Sequence, residues 1–180
     1  LKNLWMLASV FPTRKFQFEL LNNLRNEDKY EAIAPEDELA PANYPIDWLF
    51  ASVMVANPLF WMEMQHLSEE QTERLSKIVA VWKKERGALY RAEVCPIGEK
   101  PDGWAFTGFD AVVSENEGYL ILLRESGEEI DYTYSISTKG GFRTEILASS
   151  DGVSCSEIKD GKISAEFRNK RSWAFVKYIR

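Results

Sequence analysis

Cysteine and histidine are nearly missing from this 180-residue chain, which has two of the first, Cys95 and Cys155, and one of the second, His66. The cysteines lie far apart without metal-ligand spacing, so they read as free buried thiols, a disulfide being the alternative. A single histidine with no serine or cysteine nucleophile motif beside it excludes a catalytic triad, and His66 reads as a helix-entry residue. No P-loop, dinucleotide fingerprint or HExxH occurs, and no cofactor or metal is expected. Positive charge is also short: 22 Lys and Arg against 28 Asp and Glu give a net charge of −6. With no basic tract interleaved with aromatics, nucleic acid is excluded as a partner, and a neutral or weakly charged one fits better. No apolar run reaches the length that spans a bilayer, and no secretory leader is present, so no membrane partner is expected. The chain does not begin with Met and reads as a piece of a longer polypeptide. The compartment therefore stays open, and a secreted or periplasmic parent is compatible with it.

Apolar material is ample, at 45% hydrophobic and 13% aromatic. The longest apolar stretch, residues 47–65, organises the first half. Within it Phe50–Ala56 is short, rich in small and β-branched residues and stopped by Asn57-Pro58, which predicts a strand buried on both faces. Ser68-Glu69-Glu70-Gln71 is a capping box, and Leu75, Ile78, Val79, Trp82 and Leu89 follow at helical spacing, so a helix is expected from there to residue 89. Upstream, Leu4–Phe11 reads as a helix end terminated by Pro12. Phe16–Leu20 alternates and predicts a strand, with Asn22 and Asn23 at its carboxyl end. Residues 24–45 form a polar, proline-broken loop whose acidic residues lack calcium-loop spacing and read as a solvated rim.

Residues 91–103 carry two prolines and two glycines and mark a boundary. Beyond them, seven short apolar runs are separated by turn signals such as Glu117-Gly118, Gly140-Gly141, Asp151-Gly152 and Asp160-Gly161, which predicts an antiparallel β-sandwich. Residues 119–123 do not alternate and are expected in a central strand.

FQFELLNN (16–23), LAPANYPIDWLFA (39–51), VANPLFWME (55–63), PIGEKPDGWAFTGFDA (96–111) and GYLILLRE (118–125) give the chain a likeness to one family. In these segments it resembles the C-terminal part of an α-galactosidase-like (melibiase) glycoside hydrolase, of glycoside hydrolase family 36 or a close relative. The resemblance implies an α/β plus all-β architecture. Residues 1–92 would be the last βα units of a (β/α)8 TIM barrel, 93–103 a linker and 104–180 the C-terminal antiparallel β-sandwich. It implies a parent that hydrolyses terminal α-glycosidic bonds by a retaining two-carboxylate mechanism without a cofactor. Both catalytic aspartates would lie upstream of Leu1, so no catalytic residue is assigned here and this piece alone should be inactive. The partner implied is an α-galactoside or related glycoside, and a barrel cut open should self-associate through its exposed edge.

Asn22, Asn23 and Asn57 at expected strand ends, and Trp61 as a stacking ring, are the candidate sugar-binding residues, each with a turn or core role as its alternative. Glu19, Asp47, Glu63 and Asp110 are carboxylates in apolar surroundings, but their spacing does not make any two face each other. A rival reading is a non-catalytic carbohydrate-binding or structural β-sandwich module with a helical N-terminal domain. Trp104, Phe106, Tyr132, Tyr134 and Trp173 would be its platform if two or three of these rings were exposed and coplanar.

Overall fold

Ser68 caps the longest helix as the sequence demands. In the computed structural model, which describes residues 1–20, 37–40, 43–60 and 64–180, its hydroxyl accepts from the Gln71 N–H and its own N–H donates back to the Gln71 side chain. The helix (α3, Glu69–Leu89) buries Leu75, Ile78, Trp82 and Leu89. Two shorter helices precede it, α1 (Lys2–Ala8) and α2 (Ile46–Ala51). Two three-residue strands, β1 (Gln17–Glu19) and β2 (Asn57–Leu59), pair in parallel with Gln17 opposite Asn57.

The rest is antiparallel. A five-stranded sheet runs in the order β3 (Glu93–Gly98), β4 (Phe106–Ser114), β5 (Glu117–Arg124), β10 (Ser172–Ile179), β7 (Arg143–Ser149). A three-stranded sheet runs β6 (Asp131–Ser135), β9 (Lys162–Phe167), β8 (Val153–Cys155).

The larger sheet is covered on both faces. Tyr119, Ile121, Leu123, Trp173 and Phe175 join one core with Leu4, Phe50, Ile78 and Trp82 of the three helices. Leu120, Leu122, Ala174, Val176 and Tyr178 join a second core with Tyr134, Ile163 and Phe167 of the smaller sheet. Two-sided burial explains why residues 119–123 are apolar throughout. The layers are helices, five-stranded sheet, three-stranded sheet, and the core between the helices and the larger sheet draws on residues from either side of 93–103.

The barrel expectation is overturned. Among the described residues there are three α-helices and mostly antiparallel strands, with no series of βα units. The expected strand at 50–56 is instead the end of α2 followed by turns, and the Asn57-Pro58 that should have stopped a strand begins one. The misreading has a physical origin. A short run buried on every side lacks the polar face that separates a helix from a strand. Every residue of α2 is buried, because it packs against both α3 and β10. The sandwich-like pair of sheets in the second half stands, and Glu93–Gly98, within the expected linker, forms an edge strand. There Pro96 is tolerated because an outer strand leaves one row of N–H groups unpaired.

Candidate functional site

Parallel strands place ligand sites at their carboxyl ends, and those of β1 and β2 are Glu19 and Leu59, opposite each other. Asn22, Asn23, Trp61 and Glu63, which the chain reaches next, lie outside the described residues. Asn57 stands at the other end of the pair. Its Nδ2 donates to the carbonyls of Arg14 at 2.7 Å and Phe16 at 3.0 Å, so that amide sews β2 to the turn before β1.

Near Glu19 lies a half-open cavity of about 190 Å³, lined by Leu1, Glu19, Leu39, Tyr44, Trp48, Leu49, Ser52, Val53 and Glu125. Leu39 and Tyr44 belong to the strap ahead of α2, which two turns of the sandwich hold in place. Arg171, between β9 and β10, donates to the carbonyls of Asn43 (2.6 Å) and Glu38 (2.7 Å) and to Ser126 Oγ (3.1 Å). Its guanidinium also lies 4.8 Å over the Tyr44 ring. Arg171 does this from a left-handed backbone, φ 54°, which a residue with a side chain adopts only when its surroundings compel it. At Gly103, φ 102°, an added Cβ would stand 2.6 Å from Leu39 Cδ2, so glycine lets the strap lie flat.

Glu125 is the buried carboxylate of this cavity. Its Oε2 accepts the N–H groups of Asp102 (3.1 Å), Gly103 (2.9 Å) and Ala105 (3.2 Å). Burial pushes its carboxyl up, while these three donors act the other way. Next to it, Arg124 is buried on the opposite face and donates to the carbonyls of Phe167 and Gly127, each at 2.7 Å. Sequence reading missed Glu125 and Arg171. The one available signal was the charged pair Arg124-Glu125 closing an unbroken apolar run.

No family model matches this chain, and no match is found among curated proteins or solved structures. What the residues can do is therefore read from their surroundings. Asp47 and Asp110 are both engaged in the fold. Asp47, in the first turn of α2, accepts from Trp173 Nε1 at 2.9 Å and Arg74 Nη2 at 3.2 Å. Asp110 accepts from Ser137 Oγ (2.6 Å), the Ser137 N–H (3.1 Å) and Tyr178 OH (3.0 Å), tying the two sheets together.

Burial raises the Asp110 carboxyl above its ordinary range despite those bonds. A folded-state pKa above the unfolded value means that the native state holds the extra proton, so this group's contribution falls as pH rises from the unfolded value of about 3.9 through the folded one. Asp110→Asn keeps an acceptor and cannot ionise. In urea unfolding, the native chain should lose stability relative to the variant as the pH rises above about 4; parallel pH profiles would refute this.

The aromatic platform is not assembled. Phe106, Tyr134 and Trp173 are buried, Tyr132 is half-buried and stacked on Phe106 at 5.2 Å, and only Trp104, of the five, is exposed, at 47%. Cys95 and Cys155 are free and half-buried, and burial pushes both thiols up, Cys155 to about 12. Among the described residues no group of three His, Cys, Asp or Glu is placed to hold a metal.

Proposed function

We propose that this chain is the non-catalytic C-terminal part of a glycoside hydrolase resembling α-galactosidases, its sandwich bracing the strap and strand ends that border a sugar site. One observation carries the reading. Three of the five segments that bear the family likeness line one pocket, and the other two neighbour it. FQFELLNN supplies Glu19, LAPANYPIDWLFA supplies Leu39, Tyr44 and Trp48, and GYLILLRE supplies Glu125. PIGEKPDGWAFTGFDA supplies the N–H groups that hold Glu125, and VANPLFWME supplies the strand paired with β1.

The buried carboxylates are consistent with a supporting role, since Asp47 and Asp110 spend their oxygens on tryptophan, tyrosine, serine and arginine donors of the fold. By the resemblance, the nucleophile and the acid/base come from residues encoded before Leu1. The 180-residue chain should leave an aryl α-galactoside intact. The product translated with the preceding codons should hydrolyse it with retention of anomeric configuration, followed by proton NMR. A longer product inactive on aryl α-glycosides, or hydrolysis by the short chain alone, would overturn the reading.

A further inference from the structure

At one end of the sandwich, the larger sheet and the turn that follows β6 border an open cavity of about 480 Å³, within the size range of small-molecule sites. Its floor is polar and already satisfied. The Ser137 hydroxyl and the Tyr178 phenol donate to the two oxygens of the buried Asp110, at 2.6 and 3.0 Å, and the Thr138 and Tyr178 hydroxyls lie 3.1 Å apart. Cys95 and Val112, from β3 and β4, add apolar wall. A ligand bearing only neutral hydroxyls would find the donors of this floor committed, so recognition falls to the rim.

The rim carries charges of both signs: Glu93 at the start of β3, Glu115 in the turn between β4 and β5, Lys139 between β6 and β7, and Arg180 just after β10. Elsewhere on this surface opposite charges close on each other, as Lys77 and Glu73 do at 2.7 Å and Lys177 and Glu117 at 2.8 Å. None of the four rim charges enters an ion pair among the described residues. The separation has a structural cause. The Arg180 guanidinium lies 5.3 Å over the Phe142 ring, and a Cβ at Gly140 would stand 2.9 Å from its Nη2, so this cation is held at the turn that carries Lys139. Glu93 and Glu115 project from the end of the larger sheet. Both signs therefore border one cavity from different walls, and each keeps its charge for a solute.

A lone anion would be attracted by Lys139 and Arg180 and repelled by the glutamates, and a lone ammonium the reverse. A molecule with an ammonium at one end and a carboxylate at the other satisfies both walls. A guanidinium presents parallel N–H groups to a carboxylate, and glutamate oxygens accept from an ammonium. We infer that this end of the sandwich binds a small zwitterion, an amino acid or short peptide, with its carboxylate on Arg180 and Lys139 and its ammonium on Glu93 and Glu115. The site shares no lining residue with the cavity at Glu125 and does not rest on the proposed function.

The test is an NMR titration of the full 180-residue chain, following the amide signals of Glu115 and Gly140. The probes are alanine, alanyl-alanine, its N-acetyl form, its C-terminal amide and inorganic phosphate. Alanine or alanyl-alanine should shift these signals saturably in the millimolar range, the tighter of the two giving the length preferred. Each blocked peptide should bind at least about threefold more weakly than alanyl-alanine, the scale of one exposed ion pair. Two variants separate the ends. Glu93→Gln should weaken alanyl-alanine by about threefold and leave the N-acetyl form, which has no ammonium to lose, unchanged. Arg180→Gln should weaken alanyl-alanine similarly and leave the amide unchanged. Both residues are exposed, so the near-ultraviolet circular dichroism of the core should persist in each variant. No saturable shift with either zwitterion, equal binding of free and blocked peptides, or phosphate binding as tightly as alanyl-alanine would overturn the inference. The activity of a longer product on α-glycosides bears on the proposed function alone and leaves these titrations as they stand.

Discussion

Gly108→Ala is expected to lower stability by about 3 kcal/mol or more, beyond the usual range for overpacking. The position is the third residue of β4, opposite Leu122 of β5, and a Cβ there would sit 2.1 Å from the Ile121 carbonyl oxygen and 3.2 Å from its carbon. Both are main-chain atoms, so no side-chain rotation relieves the contact. Nor can β5 retreat, because it is paired along its length with β4 on one side and β10 on the other, and both its faces are packed. The strand pair would have to open, breaking ladder bonds at the centre of the sheet. For a domain of this size the melting temperature should fall by roughly 10 °C. Gly141→Ala is the control, since its nearest neighbour would be the Ile158 carbonyl at 3.9 Å, and it should stay within about 0.5 kcal/mol of the native value. Equal melting temperatures for the two variants would show that the close approach at Gly108 is not maintained in solution.

The sequence spoke clearly wherever one side of an element is wet. Ile130, Tyr132, Tyr134 and Ile136 alternate with polar residues because β6 lies in the outer sheet, and the capping box at Ser68 marks α3 because the helix has a solvated face. The glycine turn at Gly161, φ 73°, announced the β8–β9 hairpin, in a conformation that a residue without Cβ enters freely, whereas Gly152, also at φ 73°, carries the chain from β7 in one sheet to β8 in the other. Where burial is complete the signal fails. A helix sealed between α3 and β10 has the same composition as a buried strand, and the barrel expectation followed from that ambiguity. The cavity was illegible for a different reason. Glu125 and Arg171 act on backbone N–H and C=O groups, which every residue carries, so no spacing of side-chain types records the contact. Arg171 reaches residues more than a hundred positions away, and only the topology that sets the β9–β10 turn beside the strap brings them together.

Asp47 carries the second large effect, because it joins three elements through one carboxylate. Oδ2 accepts from the buried indole of Trp173 on β10 and from Arg74 on α3, while Oδ1 stands 3.0 Å from the same Arg74 nitrogen without hydrogen-bond geometry. The two donors are not equivalent. Arg74 is 40% exposed and can turn to water or to Glu70 when its partner is removed, so that ion pair is worth little. Trp173 cannot turn, and Asp47→Ala would leave its N–H buried without an acceptor, which costs about 1–3 kcal/mol before the lost packing is added. The alanine variant should therefore lose about 2–3 kcal/mol by urea unfolding. Arg74→Met should lose less than about 1 kcal/mol, and Asp47→Asn, which keeps an acceptor for the indole, should resemble Arg74→Met. Trp173→Phe removes the orphaned donor, so the double variant Asp47→Ala with Trp173→Phe should be more stable than the sum of the single losses by about 1 kcal/mol or more. Strict additivity would mean that the indole finds another acceptor, and that the helical layer is held to the sheet by apolar contact alone. Coupling of the expected size would make Asp47 the polar pin that holds α2 against β10, and the strap ahead of α2 in register with Glu125 across the cavity.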